Sequence, residues 1–326
     1  MSFNSKNLLI LQAAIGVIII VATIWYVGAQ GLTETLATAR LEYVGLCLLA
    51  YLGINILFAI RLIRVLGSIG YKIGFWRTLL IQYGGMLASD FTPARSGYFA
   101  VPVMLKDRKI PLASGLSSIL GIQSVEFLVK MLGGAMAVAY LTSKVHLSTD
   151  LYLLSIFGVI LMLLGSGIIA LAMWSSSAAR LLWHSSKIPL IGSLMKKLLG
   201  KISEFQRESQ KVKNVIHEIA IITIASWIFK GLEWYFIGLA LGIDTVSWLG
   251  YFLIHPLITA LSFIPLTPSG LGFQEGGVVG VLFLLGVDLK VGLAFAILAR
   301  TLLILEDLIG IQPLSRVGVK ALKTVS

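Results

Sequence analysis

With 326 residues, 57% of them hydrophobic and only 13% charged, and a mean hydropathy of +0.94, the chain lies outside the range of soluble globular domains, where about a quarter of residues are charged. A net charge of +11 would suggest nucleic acid in a soluble protein; in so apolar a chain the placement of the cations matters more than their sum, and no nucleic-acid partner is expected. Cys47 is the only cysteine, and His146, His184, His217 and His255 show no ligand spacing, so no disulfide, metal or cofactor is expected.

The apolar runs are continuous, which fits helices across a core of about 30 Å rather than the alternating strands of a barrel. The first, Leu8 to Ala29, follows a short segment with Lys6 and exceeds the core of a signal peptide, so it reads as an uncleaved span. A second span runs from about Tyr43 to Ile60. Arg61, Arg64, Lys72 and Arg77 follow without an acid, which places that loop and the N-terminus in the cytoplasm.

Thr78 to Ser89 is then only about 12 residues, roughly 18 Å of helix, too short to cross. After Asp90 comes the turn Phe91-Thr92-Pro93-Ala94-Arg95-Ser96-Gly97, a second short run from Tyr98 to Leu105, and the basic cluster Lys106-Asp107-Arg108-Lys109. Two short arms that enter and leave on the cytoplasmic side describe a re-entrant hairpin. A long helix from Pro111 to about Leu141 carries Glu126 and Lys130 on one face. The loop from Thr142 to Asp150 is external, and Leu151 to Trp174 returns to the cytoplasm.

Residues 175–214 are basic, with Leu190, Leu194, Leu198 and Ile202 at i+4 spacing. They read either as an amphipathic helix on the anionic leaflet or as a plain inside loop. A span from about Val215 to Leu241 holds Lys230 and Glu233. Trp248 to Leu266 is interrupted by Pro256 and Pro265. The turn Leu266-Thr267-Pro268-Ser269-Gly270-Leu271-Gly272 follows, then Phe273 to Gly286, and a last span, Val291 to Ile311, containing Arg300. With this topology 19 of the 26 Lys and Arg lie inside, three outside and four within the membrane.

The two Thr-Pro-x-x-x-Gly turns lie 175 residues apart. Each half reads as span, hairpin, span, the first hairpin entering from the cytoplasm and the second from outside. The expected fold is therefore an all-α polytopic membrane protein with six full spans and two re-entrant helical hairpins in an inverted-topology repeat, both termini inside. It forms a single membrane domain with one half at about 43–141 and the other at about 215–312. Inverted repeats with broken helices place a substrate site near the midplane in secondary transporters.

Irregular backbone at membrane depth implies a polar, wet interior. Half-helices that start at such turns aim N–H groups inward and favour anions. The candidate substrate-binding residues are Thr92, Pro93, Arg95 and Gly97 in the first turn and Thr267, Pro268, Gly270 and Gly272 in the second, with Glu275 and Arg300. Arg95 suits phosphate or carboxylate; Glu275 is placed to balance Arg95 or Arg300 or to carry protons. Asp90, Glu126, Lys130, Lys230 and Glu233 are candidate gating or charge-pair residues, with Asp90 and Arg61 near the cytoplasmic mouth. The alternative for the intramembrane charges is purely structural: Arg95, Glu275 and Arg300 as an ion pair locking the hairpins, and the two helical pairs neutralising themselves.

Phe91-Thr92-Pro93-Ala94-Arg95-Ser96-Gly97, Lys106-Asp107-Arg108-Lys109-Ile110-Pro111-Leu112 and Pro265 to Gly276 resemble signature blocks of the lysylphosphatidylglycerol synthase transmembrane-region family. That family includes the flippase domain of bacterial multiple peptide resistance factors. The resemblance covers nearly the whole chain. Where the family has a Glu after the first Gly and Glu-Arg in the next helix, this chain has Tyr98, Ile122 and Gln123; Glu126 stands at the family's Asp position. The resemblance implies movement of lipids across a cell membrane: phospholipids, aminoacyl-phospholipids, hopanoids or polyprenyl-phosphate carriers. No soluble aminoacyl-transfer domain follows the spans, so an enzyme is not expected. The leading reading is a flippase-type translocase for an anionic or zwitterionic headgroup. The alternatives are a non-catalytic membrane partner of a lipid-modifying synthase or glycosyltransferase, and a lipid-phosphate transferase. No P-loop motif is present for direct ATP coupling, and a homo-oligomer is compatible with everything above.

Overall fold

The structure is a computed structural model that describes Val21 and residues 29–145, 149–175, 205–263 and 266–316. The first span, most of the basic linker, Pro265 and the C-terminal tail expected from the sequence lie outside the described residues.

Among those residues the fold is helical. Helix α1 is Ala29–Ala37 and α2 is Leu41–Ile69. At 29 residues α2 is about 44 Å long, and it ends where Gly70 takes φ 102° and its N–H bonds back to the last turn. This corrects the expected end at Ile60: Arg61 and Arg64 belong to the helix, not to a loop. Helix α3, Phe75–Asp90, and α4, Ala100–Lys106, are the short arms of the first hairpin, joined by the Thr92-Pro93 turn and a 3-10 turn at Ser96–Phe99. Helix α5 is Leu112–Lys144 and α6 is Thr149–Trp174. A helical stretch from Phe205 to Ala240 follows; its part after the 3-10 turn at Lys213–Val215 is α7, Ile216–Ala240. The end of the expected linker is therefore part of this helical stretch. The second hairpin has α8, Trp248–Ala260, and α9, Phe273–Leu284; the last helix is α10, Leu289–Asp307, with a 3-10 turn at Leu308–Gly310.

Among the described residues, four helices are long and apolar enough to cross a membrane: Leu41–Ile69, Leu112–Lys144, Ser155–Trp174 and Phe205–Ala240. Phe157, Leu164, Ile168 and Leu171 on α6 are each more than half exposed. Such a surface suits lipid tails, not water. The chain is thus an all-α integral membrane protein with several spanning helices.

Pro256 does not interrupt its helix as the sequence suggested; it sits inside α8. A proline there cannot bond the carbonyl four residues back, and that Phe252 carbonyl instead accepts from the Trp227 indole N–H at 2.6 Å. The orphaned acceptor is satisfied from the neighbouring helix, so the proline is tolerated.

Both halves repeat one order: long helix, short arm, Thr-Pro turn, short arm, helix. One apolar cluster gathers around Leu62, Leu105, Ile119 and Ile122 and takes in Ile219 from the second half; another gathers around Trp234, Tyr251, Leu282 and Phe295 and takes in Cys47 and Leu141 from the first. Tyr51, Ile54 and Tyr83 form a third cluster that Leu303 packs against. Gly310 lies so near α3 that a Cβ on it would fall 2.0 Å from the Gly84 nitrogen. Only glycine permits that approach.

Candidate functional site

The geometry of the first turn explains its sequence. The Thr92 hydroxyl donates to the Ala88 carbonyl at 3.0 Å and accepts from the Gly97 N–H at 2.6 Å. That pins the chain back onto the end of α3, so closely that a Cβ at residue 97 would lie 2.1 Å from the Ala88 oxygen. Ala94 and Arg95 take φ values of 51° and 55°, a left-handed conformation that L-residues hold only when their surroundings demand it.

The second turn reaches a similar shape by other means. Ser269, Gly270 and Gly272 carry the positive φ, at 47°, 68° and 86°. The Gly272 N–H donates to Glu275 Oε2 at 2.7 Å, so the carboxylate occupies the N-terminus of α9. The expectation that this half-helix end lies open to an anion is corrected here, because its own glutamate fills the place; at the first turn Thr92 takes the Gly97 N–H likewise.

The tips touch. Pro93 and Pro268 form an antiparallel bridge, and the Ser269 N–H donates to the Thr92 carbonyl at 2.8 Å. Beneath the crossing lies a cavity of about 420 Å³. Its walls are largely apolar, with Phe58, Met86, Trp227 and Trp234 among them, and its charged lining consists of Arg61, Arg95, Lys130, Lys230 and Arg300 against Glu126, Glu233 and Glu275. Five cations face three carboxylates.

Most of these charges are held within the chain. Glu126 accepts from Lys130 at 2.8 Å and from Arg61 at 3.1 Å. Arg61 also donates to the Thr223 hydroxyl at 2.8 Å and lies over the Phe58 ring at 4.4 Å. It is 1% exposed, so the expectation of Arg61 at a mouth is corrected: it is buried beside the cavity. Lys230 pairs with Glu233 and sits 4.7 Å over the Tyr51 ring. Arg300 donates to Glu275 at 2.6 Å and to the Gln274 side chain at 3.2 Å. The sequence left open whether Glu275 balances Arg95 or Arg300; its partner is Arg300.

Arg95 differs. Its ion pair is with Asp90 at 3.6 Å, too long for a hydrogen bond, and its buried Nη2 has no hydrogen-bond partner. An unsatisfied guanidinium nitrogen at a cavity wall is a place for an anion.

Seven sequence-derived candidates therefore line the cavity: Arg95, Glu126, Lys130, Lys230, Glu233, Glu275 and Arg300. Thr92, Pro93, Gly97, Thr267, Pro268, Gly270 and Gly272 do not; they build the crossing above it. Asp90 stands behind the wall, its side chain 0% exposed. Sequence reasoning missed the cavity role of Arg61 and the partners Tyr51, Asp307, Trp227 and His255. The apolar register continuing through Leu62, Val65 and Leu66 to the Gly70 stop was the signal for Arg61.

The family described as lysylphosphatidylglycerol synthase TM region matches residues 9–305. A UPF0104 membrane protein of Methanocaldococcus jannaschii is 29% identical over 219 residues, covering 66% of this chain and 87% of that protein. Another, of Methanothermobacter thermautotrophicus, is 23% identical over 291 residues, covering 84% of this chain and 83% of that protein. No solved structure matches the chain.

Proposed function

Since the chain belongs to the lysylphosphatidylglycerol synthase transmembrane-region family, we propose that it is a flippase-type translocase of the cell membrane, moving lipids with an anionic or zwitterionic headgroup. The observation that carries this reading is Arg95: a cation on the wall of a cavity already rich in cations, with a buried nitrogen that makes no hydrogen bond and has only the long ion pair to Asp90. A headgroup phosphate entering the cavity supplies the missing acceptor, and the apolar walls and exposed apolar helices keep the tails in lipid.

In this reading the two hairpins are re-entrant and related by inverted topology. With Arg61 moved from the inside loop to the cavity wall the cation bias is 18 to 3, and it and the arms α3 and α4, of 16 and 7 residues, support that arrangement. The headgroup passes below the crossed turns, and the held pairs Arg300–Glu275 and Lys230–Glu233 keep the cavity shaped while Arg95 exchanges its weak partner for the lipid.

The test is reconstitution. Proteoliposomes holding the purified chain and a trace of fluorescent short-chain lipid are expected to expose that lipid to an outside quencher faster than empty vesicles. Movement no faster than in empty vesicles, with a soluble lipid-modifying enzyme co-purifying in fixed ratio, would replace this reading with the membrane-partner one.

A further inference from the structure

Among the described residues, four buried side-chain atoms on the cavity wall make no hydrogen bond: Arg61 Nε, Gln82 Nε2, Arg95 Nη2 and Glu233 Oε2. The first three are N–H donors. The fourth belongs to a carboxylate already paired with the Lys230 ammonium. A buried donor without an acceptor is costly, so a ligand that brings the acceptor gains most there.

The spare donors are set by what the same side chains already do. The Gln82 amide on α3 is fully buried, and its oxygen accepts from the Tyr98 hydroxyl at 2.7 Å. That commits the acceptor end of the amide and leaves the NH2 end over. Arg61 gives Nη1 to Thr223 and Nη2 to Glu126, which leaves Nε. The carboxylates of the wall have no such surplus. Glu126 holds Lys130 and Arg61, Glu233 holds Lys230, and Glu275 holds Arg300 and the Gly272 N–H. The ring faces of Phe58 and Tyr51, surfaces suited to an ammonium, carry Arg61 and Lys230. The five cations of the wall still outnumber its carboxylates when Asp90, behind Arg95, is counted with them.

We infer that the cavity selects a phosphate group of net negative charge and rejects one that carries an ammonium, with Gln82 and Arg61 as anion-binding residues beside Arg95. Phosphate oxygens are acceptors only, and they answer three donors that the chain leaves unmatched. An ammonium enters against a surplus of cations and finds each wall carboxylate taken. Its like-charge penalty offsets what the phosphate of a zwitterion gains. The lipid nature of the ligand rests on the translocase reading; the preference for an anion does not.

The test is equilibrium binding of radiolabelled short-chain phosphatidylglycerol to the purified full chain in an uncharged detergent, with unlabelled competitors. Short-chain phosphatidylcholine and lysyl-phosphatidylglycerol, both of which bear an ammonium, are expected to compete at least about tenfold more weakly than phosphatidylglycerol. Equal competition by either one overturns the selectivity. Gln82→Glu keeps the acceptor for Tyr98 and puts an oxygen where the spare donor was. It is expected to weaken phosphatidylglycerol binding by about tenfold or more and to narrow the gap to phosphatidylcholine. Gln82→Met removes the donor without adding a charge, so it covers the case in which Gln82→Glu does not fold; the expected loss is about tenfold. Wild-type affinity in a folded Gln82 variant overturns that residue's assignment.

Inorganic phosphate and glycerophosphoglycerol separate the two sources of the anion, and both are expected to bind at least about tenfold more weakly than the lipid. Inorganic phosphate bound as tightly as phosphatidylglycerol upholds the anion site and overturns the lipid reading. Equal transport of phosphatidylcholine and phosphatidylglycerol in proteoliposomes does the reverse: the translocase stands and the selectivity falls. A wild-type chain that binds none of these probes overturns both.

Discussion

The two Thr-Pro turns share a sequence pattern and meet at one point, yet they are stabilised in different ways. In the first, a hydroxyl closes the turn: Thr92 bridges Ala88 and Gly97. In the second, Thr267 is fully buried and its hydroxyl has no partner; closure falls to Glu275, which caps Gly272 with one oxygen and holds Arg300 with the other. The second turn is thus locked by a buried ion pair. The first leaves its own pair, Arg95 and Asp90, loose at 3.6 Å. One motif has produced a fixed strut and an open hand.

The comparison breaks hardest at the strut. Glu275→Ala removes the cap and leaves Arg300 buried without its carboxylate. It is expected to cost about 3–5 kcal/mol, seen as a large fall in melting temperature and in the yield of folded protein from detergent. Asp90→Asn, which removes the carboxylate of the first turn's loose pair, is expected to leave the melting temperature within a few degrees, because its partner Arg95 makes no hydrogen bond to it.

Smaller effects sharpen the contrast. Thr92→Val deletes a hydroxyl with two partners and is expected to cost about 1–2 kcal/mol, read from chemical or thermal unfolding. Trp227→Phe strips the donor from the Phe252 carbonyl that Pro256 exposes, with an expected loss of about 1 kcal/mol by the same assay. Thr267→Val comes last. Its hydroxyl is buried and unpartnered, so removal is expected to be neutral or slightly stabilising. Equal losses for Thr92→Val and Thr267→Val would mean the turns are equivalent after all.

Much of this was legible in the sequence, and the reasons are particular. Arms too short to cross, a Thr-Pro-x-x-x-Gly turn between them and a second copy 175 residues on were enough to place both hairpins. Charge in apolar sequence marked seven residues that do face one cavity. Arg61 was misplaced because a cation after an apolar run looks like a loop, whereas the burial of its guanidinium among Glu126, Thr223 and Phe58 is decided by α5, α7 and the chain's own previous turn. Pro256 was read as a break because the sequence does not reveal Trp227 waiting for the carbonyl. The Tyr51–Asp307 hydrogen bond joins residues 256 positions apart, and no local pattern signals it.

The most direct measurement is the rate at which proteoliposomes carrying Arg95→Ala move a fluorescent anionic lipid, set beside wild type at matched protein density and matched melting temperature. The loss of a charge-assisted contact to the headgroup predicts a rate lower by about tenfold or more. A wild-type rate in the variant would contradict the assignment of Arg95 as the residue that receives the lipid.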